Sequence, residues 1–145
     1  WYITGIQLEV GEYSSTTLPP FQHESYGDNL ARCERYCLQL DHDMTGGNET
    51  QIAIGWAHST SGAYGFRDFA VQMRTQPTMS SADGTNYFRI HTNNTADLFD
   101  NLGFNASSKR GFWMNKTGLG GLDTNQIHTV ELVNSNAYVR ADAEL

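Results

Sequence analysis

From Gly46 to its end the chain is punctuated, roughly every ten residues, by the small and polar residues that turn a backbone. Gly46-Gly47-Asn48, Ser61-Gly62, Asp83-Gly84, Asn93-Asn94 and Gly118-Leu119-Gly120-Gly121 are the main breaks. The runs between them, at 50–57, 64–74, 78–81, 86–92, 98–104, 111–115, 127–133 and 137–143, carry the β-branched and aromatic residues that suit a pleated surface. Eight short strands at this spacing predict a mostly β domain over 42–145, a jelly-roll-like β-sandwich. No repeat of solenoid or propeller period is present.

The first third reads differently. Ile3, Ile6, Leu8 and Val10 alternate with polar residues up to Gly11, a strand pattern, and the run opens at Trp1 with no initiator Met, which suggests part of a longer chain. Residues 12–27, with Pro19-Pro20, form a linker, because the double proline continues neither a sheet nor a helix. Asp28 then serves as N-cap for a predicted helix over 29–40. Leu30, Cys33, Cys37 and Leu40 step by three, four and three, the spacing of a coiled-coil seam, with Arg32, Glu34, Arg35 and Gln39 off it. One and a half heptads fit self-association and packing on the chain's own domain equally well. The two cysteines, four apart, are poorly placed on a helix for a disulfide and read as small apolar residues.

Composition narrows the function. Nine Lys and Arg against sixteen Asp and Glu, a net charge of −7, and no basic run longer than Lys109-Arg110 speak against nucleic acid. No window approaches the length of an apolar membrane span. His23, His42, His58, His91 and His128 are scattered, and no nucleophile-elbow, metalloprotease or phosphate-loop motif occurs, so neither a catalytic centre nor a cofactor is expected. Asp97 and Asp100 are the nearest approach to a glycosidase carboxylate pair and read as solvated loop acids. Asp41-His42-Asp43, Asp83-Gly84-Thr85-Asn86 and Asp123-Thr124-Asn125 lack the further ligands of a metal site and read as turns.

Glycan binding suits the residue inventory better than any reaction does. Aromatic faces cover the apolar patches of sugar rings, while amides and hydroxyls satisfy their polar groups. Trp56, Tyr64, Phe112 and Trp113 are candidate platforms, with His58, Asn93, Asn94, Asn105 and Asn115 as polar neighbours. A β-sandwich also fills its core with aromatics, and Trp113, within Gly111-Phe112-Trp113-Met114, suits a core or subunit interface better than ligand contact. The Asn-x-Ser/Thr sequons at Asn48, Asn93, Asn105 and Asn115 would mark glycosylation in a secreted eukaryotic chain, and in an Asn/Thr-rich sequence they also arise by chance. In a bacterial cytoplasm they would stay bare, a setting with which two free thiols agree.

Several segments carry a resemblance to a known class. Gln7-Leu8-Glu9-Val10-Gly11, the stretch from Pro20-Phe21-Gln22-His23-Glu24-Ser25-Tyr26 to Cys33-Glu34-Arg35-Tyr36, Phe69-Ala70-Val71-Gln72-Met73-Arg74-Thr75-Gln76-Pro77-Thr78, and Ala137-Tyr138-Val139-Arg140-Ala141-Asp142-Ala143-Glu144-Leu145 resemble tail-fibre and fibre-like virion proteins of tailed, especially marine, bacteriophages. Gln22, Glu24 and Cys37 depart from that pattern, which has an acid, a base and an aromatic there. The resemblance implies that residues 1–11 are the terminal strand of a preceding β-domain. It also implies that 28–41 form a short trimerising helix with Leu30, Cys33, Cys37 and Leu40 on the axis of a parallel homotrimer, and that 42–145 form its knob. The expected role is attachment of a virion, assembled in host cytoplasm, to a host-surface glycan or protein. The expected alternative is a structural fibre or capsid appendage whose C-terminal domain drives trimerisation. Multivalency would raise the avidity of weak single sites.

Overall fold

The computed structural model describes residues 10–14, 16–17, 20, 23–42, 49–92 and 96–144. The expected N-terminal strand falls almost wholly on residues 1–9, outside these, as do Asn93 and Asn94.

The helix α1 spans Tyr26–Glu34 and is capped by Ser25, not Asp28. The Ser25 hydroxyl accepts from the Asp28 N–H at 3.1 Å and donates to the Asp28 carboxylate at 2.7 Å, so Asp28 closes the cap from three residues inside. Glu24 then pairs with Arg32 on the exposed side. The helix stops seven residues before the expected end at Asp41, since Tyr36 N–H bonds back to Cys33 C=O and the chain becomes strand β1 (Cys37–Asp41). Leu38 and Leu40 alternate into the core, and β1 pairs along its full length with β10 (Tyr138–Asp142). Leu30, Cys33, Cys37 and Leu40 therefore do not form one helical seam: two lie on α1 and two on β1. Burial of Leu38 and Leu40 at period two overrides a helical spacing carried by only four residues. No residue of α1 is buried, and Leu30 remains 43% exposed.

Among the described residues all strand pairings are antiparallel and form two sheets. The small sheet has the order β1-β10-β4, with β4 at Thr78–Ser81. The large one has the order β6-β5-β9-β2-β3-β8-β7, from β2 (Thr50–Ser59), β3 (Gly62–Asp68), β5 (Phe88–His91), β6 (Ala96–Phe99), β7 (Gly103–Ser107), β8 (Gly111–Thr117) and β9 (Ile127–Leu132). The molecule is thus mostly β and sandwich-like. The run expected over 64–74 ends as a strand at Asp68, and Phe69 and Met73 are held instead by the Arg110 and Lys109 carbonyls. The run expected over 98–104 divides into β6 and β7 around a turn at Asp100 and Asn101.

The core lies where the small sheet covers one face of the large one. Leu38, Leu40, Met79, Val139 and Ala141 meet Phe88, Ile90, Phe112, Met114, Val130 and Leu132. The loop after β8 bends over the tip of the β2–β3 hairpin: Leu119 and Leu122 N–H groups bond to the Ser61 and Thr60 carbonyls, and both leucine side chains are buried. Gly118 and Gly121, at φ of 77° and 72°, supply the left-handed turns this path requires.

One buried row is unusual. His128, Gly55, Gly65 and Met114 lie side by side across β9, β2, β3 and β8 on the core face. A Cβ at Gly55 would fall 1.7 Å from the Tyr64 carbonyl oxygen, so only glycine fits there, and one at Gly65 would sit 3.0 Å from Met114 Cγ, so that the methionine would have to shift. His128 is 2% exposed and neither ring nitrogen has a hydrogen-bond partner. Burial lowers its pKa, against the opposing pull of the Trp56, Thr129 and Tyr64 backbones.

Two predictions follow from this packing. In urea titrations Leu40→Asp costs roughly 3 kcal/mol or more, whereas Leu30→Asp changes monomer stability by no more than about 0.5 kcal/mol; equal losses would restore the single helical seam. Because the folded chain holds His128 neutral, the unfolded chain binds more protons just below pH 6.5. Stability is then complete above that pH and declines as pH falls toward the lowered folded pKa. The thermal midpoint shows this decline in wild type, and His128→Leu removes it.

Candidate functional site

The β2–β3 hairpin is built inside out. Its core-facing positions are Ile52 at the entry and then only small residues, Ala53, Gly55, Ala57, Ala63 and Gly65, all buried. Its outward positions are Ile54, Trp56, His58, Tyr64 and Phe66. The small inner residues follow from the neighbours: β8 and β9 send Phe112, Met114, Val130 and Leu132 into the same core and fill it. The bulky residues of the hairpin are left on the opposite face, which the small sheet does not cover.

Register assembles these side chains into a continuous surface. Ile127, Trp56, Tyr64 and Asn115 form one row across β9, β2, β3 and β8, and Thr129, Ile54, Phe66 and Trp113 form the next. Trp56 meets Tyr64 edge-on at 5.7 Å between ring centroids and Trp113 at 5.8 Å; Phe66 lies 6.4 Å from Trp113. The His58 ring stacks on Tyr64 at 4.4 Å, occupying space that Gly62 leaves open, since a Cβ there would come within 2.7 Å of the imidazole. Such edge-to-face pairs each add about 0.5–1.5 kcal/mol, so the surface is pre-ordered. Trp113 is 47% exposed and Ile127 75%. Beside Ile54 and Phe66 opens a cleft of about 340 Å³, lined also by Gln51, Arg67 and Asp68.

Beyond Thr129 the same face turns ionic. Arg89 bonds Glu131 at 2.6 Å and Glu49 at 2.9 Å, and Thr129 donates to the other Glu131 oxygen at 2.8 Å. Burial opposes the Arg89 charge, but the two carboxylates outweigh it and raise its pKa. This pair seals the end of the face; its charges are engaged with one another.

Of the residues singled out from sequence, Trp56, His58, Tyr64, Trp113 and Asn115 come together here. Phe112 does not: it is 1% exposed and packs on Phe69 and Phe104 in the core, because alternation on β8 turns it opposite to Trp113. Asn105 lies at the β4–β7 junction, lining a cleft with Gln76, Thr78 and Ser107. Ile54, Phe66 and Ile127 were not anticipated, although the Ala/Gly versus large-residue alternation of 53–66 was readable. Asp97 accepts from the Gly120 N–H, and the Asp100 carboxylate accepts from Asn86 N–H at 2.9 Å, so both acids brace turns. Among the described residues no cluster of three His, Cys, Asp or Glu suits a metal ion. No family model matches the chain, and no curated protein or solved structure is significantly similar to it.

Adjacent residues on β8 provide a direct check of this face. Phe112→Ala costs about 3–5 kcal/mol of stability, as a core truncation does. Trp113→Ala costs about 1 kcal/mol, its edge contacts alone. Denaturant titration of the two variants separates them, and a Trp113→Ala loss as large as that of Phe112→Ala would place Trp113 in the core.

Proposed function

We propose that this chain is the end of a trimeric phage fibre and that it attaches the virion to a host-surface glycan through the outer face of its large sheet. The observation that carries this reading is the inverted hairpin, which sets Trp56, Tyr64 and Phe66 beside Trp113 of β8 on an uncovered sheet face. Exposed apolar patches of this kind mark binding surfaces. His58 and Asn115 border the aromatic row and supply donors and acceptors for sugar hydroxyls. The resemblance of residues 7–11, 20–36, 69–78 and 137–145 to phage fibre proteins supplies the setting, a virion appendage with a jelly-roll-like knob.

Trimerisation in this reading uses a shorter seam than the sequence suggested. Tyr26, Leu30 and Cys33, at i, i+4 and i+7, share one face of α1, and the helix buries nothing within its own chain. Three such helices in parallel give the face a partner and set three knobs side by side, so that weak sites act together. The second reading, a purely structural appendage, is favoured by that same unpartnered helix and assigns the aromatic face to chain contacts.

The test combines binding and mass. Wild type is expected to bind bacterial surface polysaccharide or whole susceptible cells saturably, with affinity at least about tenfold weaker in Trp113→Ala and Tyr64→Ala than in wild type, a loss of about 1.4 kcal/mol. Light scattering is expected to give a trimer for all three. Saturable binding unaffected by both substitutions would overturn the assigned face, and absence of binding by a stable trimer would favour the structural reading.

A further inference from the structure

Outside the aromatic face, three side chains of complementary reactivity converge at one edge of the core. Lys116, one of only two lysines in the chain, extends from β8 past the start of β7. Its Nζ donates to Asn101 Oδ1 at 3.2 Å and lies 5.3 Å from the centre of the Phe99 ring. Asn101 Nδ2 in turn donates to Asp83 Oδ1 at 3.2 Å. The two partners fix the orientation of the carboxamide, since reversing it would set donor against donor at Lys116 and acceptor against acceptor at Asp83.

The arrangement is held from several directions. The 83–86 turn is fastened to the Asp100–Asn101 turn by Gly84 N–H to Asp100 C=O at 3.2 Å and Asn86 N–H to the Asp100 carboxylate at 2.9 Å, and Leu102 N–H bonds Ser81 Oγ at 3.3 Å. Asp83 and Asn101 therefore sit on two turns that cannot separate easily. Lys116 shares with Ala63, Leu102, Met114 and Val130 a gap with no room for water. An amine, a carboxamide and a carboxylate are thus fixed in sequence, with the amine's path partly closed to solvent. This is the geometry that turns a slow bimolecular amide exchange into an intramolecular one.

We infer that Lys116 and Asn101 form an intramolecular isopeptide bond, with Asp83 as the proton carrier. One proton of the Lys116 ammonium passes to water, to be taken up later by the departing ammonia; the freed Nζ lone pair attacks Asn101 Cγ, and a new C–N bond forms as the Cγ–Nδ2 bond breaks. Asp83 receives the proton that the attacking nitrogen releases and delivers it to Nδ2, the atom it already contacts, which leaves as ammonia. The ammonium and carboxamide become a secondary amide and an ammonium ion, so atoms and charge balance without oxidant, reductant or cofactor. The product staples β8 to the turn between β6 and β7, a covalent tie across the edge of the core. Its existence does not depend on the role assigned to the aromatic face.

Intact-mass measurement of the full 145-residue chain after prolonged incubation at neutral pH reads the reaction directly. The folded wild type is expected to lose the mass of one ammonia and to resist trypsin after Lys116, yielding residues 90–109 joined to 111–140. Lys116→Arg and Asn101→Ala abolish the joined peptide, and Asp83→Ala slows its formation by about tenfold or more while circular dichroism remains that of wild type. Wild type held unfolded in urea forms none. Retention of full mass with cleavage after Lys116, hydrolysis of Asn101 to the acid in place of transfer, or equal joining in Asp83→Ala or in urea would each overturn the inference.

Discussion

The molecule is organised around a limit on volume. Between the two sheets, the row His128–Gly55–Gly65–Met114 brings backbones so close that, past Ile52 at its entry, the central hairpin contributes no large side chain to the core. Ala53, Ala57 and Ala63 extend the same economy along both strands. The neighbouring strands supply the bulk from either side, with Val130 and Leu132 on β9 and Phe112 and Met114 on β8. Interiors pack to crystal-like density, so once those residues and Ile52 are in place the hairpin's remaining large side chains have only the other face. The outward placement of half-buried Trp56 and Tyr64 and of exposed Phe66 is thus a consequence of core packing, coupled by alternation to every residue opposite.

That coupling makes the outer face rigid. Each ring is anchored to a strand whose other side is locked in the core, and the loop carrying Leu119 and Leu122 clamps the hairpin tip. At one end the Arg89–Glu131–Glu49 cluster closes the surface, and at the other Asn115 lies over Gly103. A face ordered before it meets a ligand loses little further side-chain entropy on binding, which is what a weak, multiply presented sugar site needs. The outer face of the small sheet is of opposite character: Gln39, Asp41, Arg140 and Asp142 pair among themselves there.

Much of this was legible in the sequence, in a pattern that a simple inside-apolar rule misreads. The turn clusters located most strands to within a few residues, because Gly, Asn and Asp act locally through backbone conformation. The helix was overextended because Leu30, Cys33, Cys37 and Leu40 mimic a heptad, while Leu38, off that pattern, is the residue that goes inward with Leu40. Tertiary pairing with Val139 and Ala141 decides that segment, and no local signal reports it. Phe112 and Trp113 show the same limit: a strand's alternation states that they face oppositely, but not which one faces the core. The buried His128 and the Lys116–Asn101–Asp83 contacts join residues far apart in sequence and become visible only in three dimensions.

The account stands or falls on the outer face of the hairpin. Hydroxyl-radical footprinting of the chain, free and saturated with bound surface polysaccharide, reports the accessibility of each aromatic ring. The account predicts that Trp113 and Tyr64 are oxidised readily in the free chain and protected in the complex, with Phe112 unreactive in both. Rings on this face that are equally reactive free and bound, or a Trp113 as unreactive in the free chain as Phe112, would contradict it.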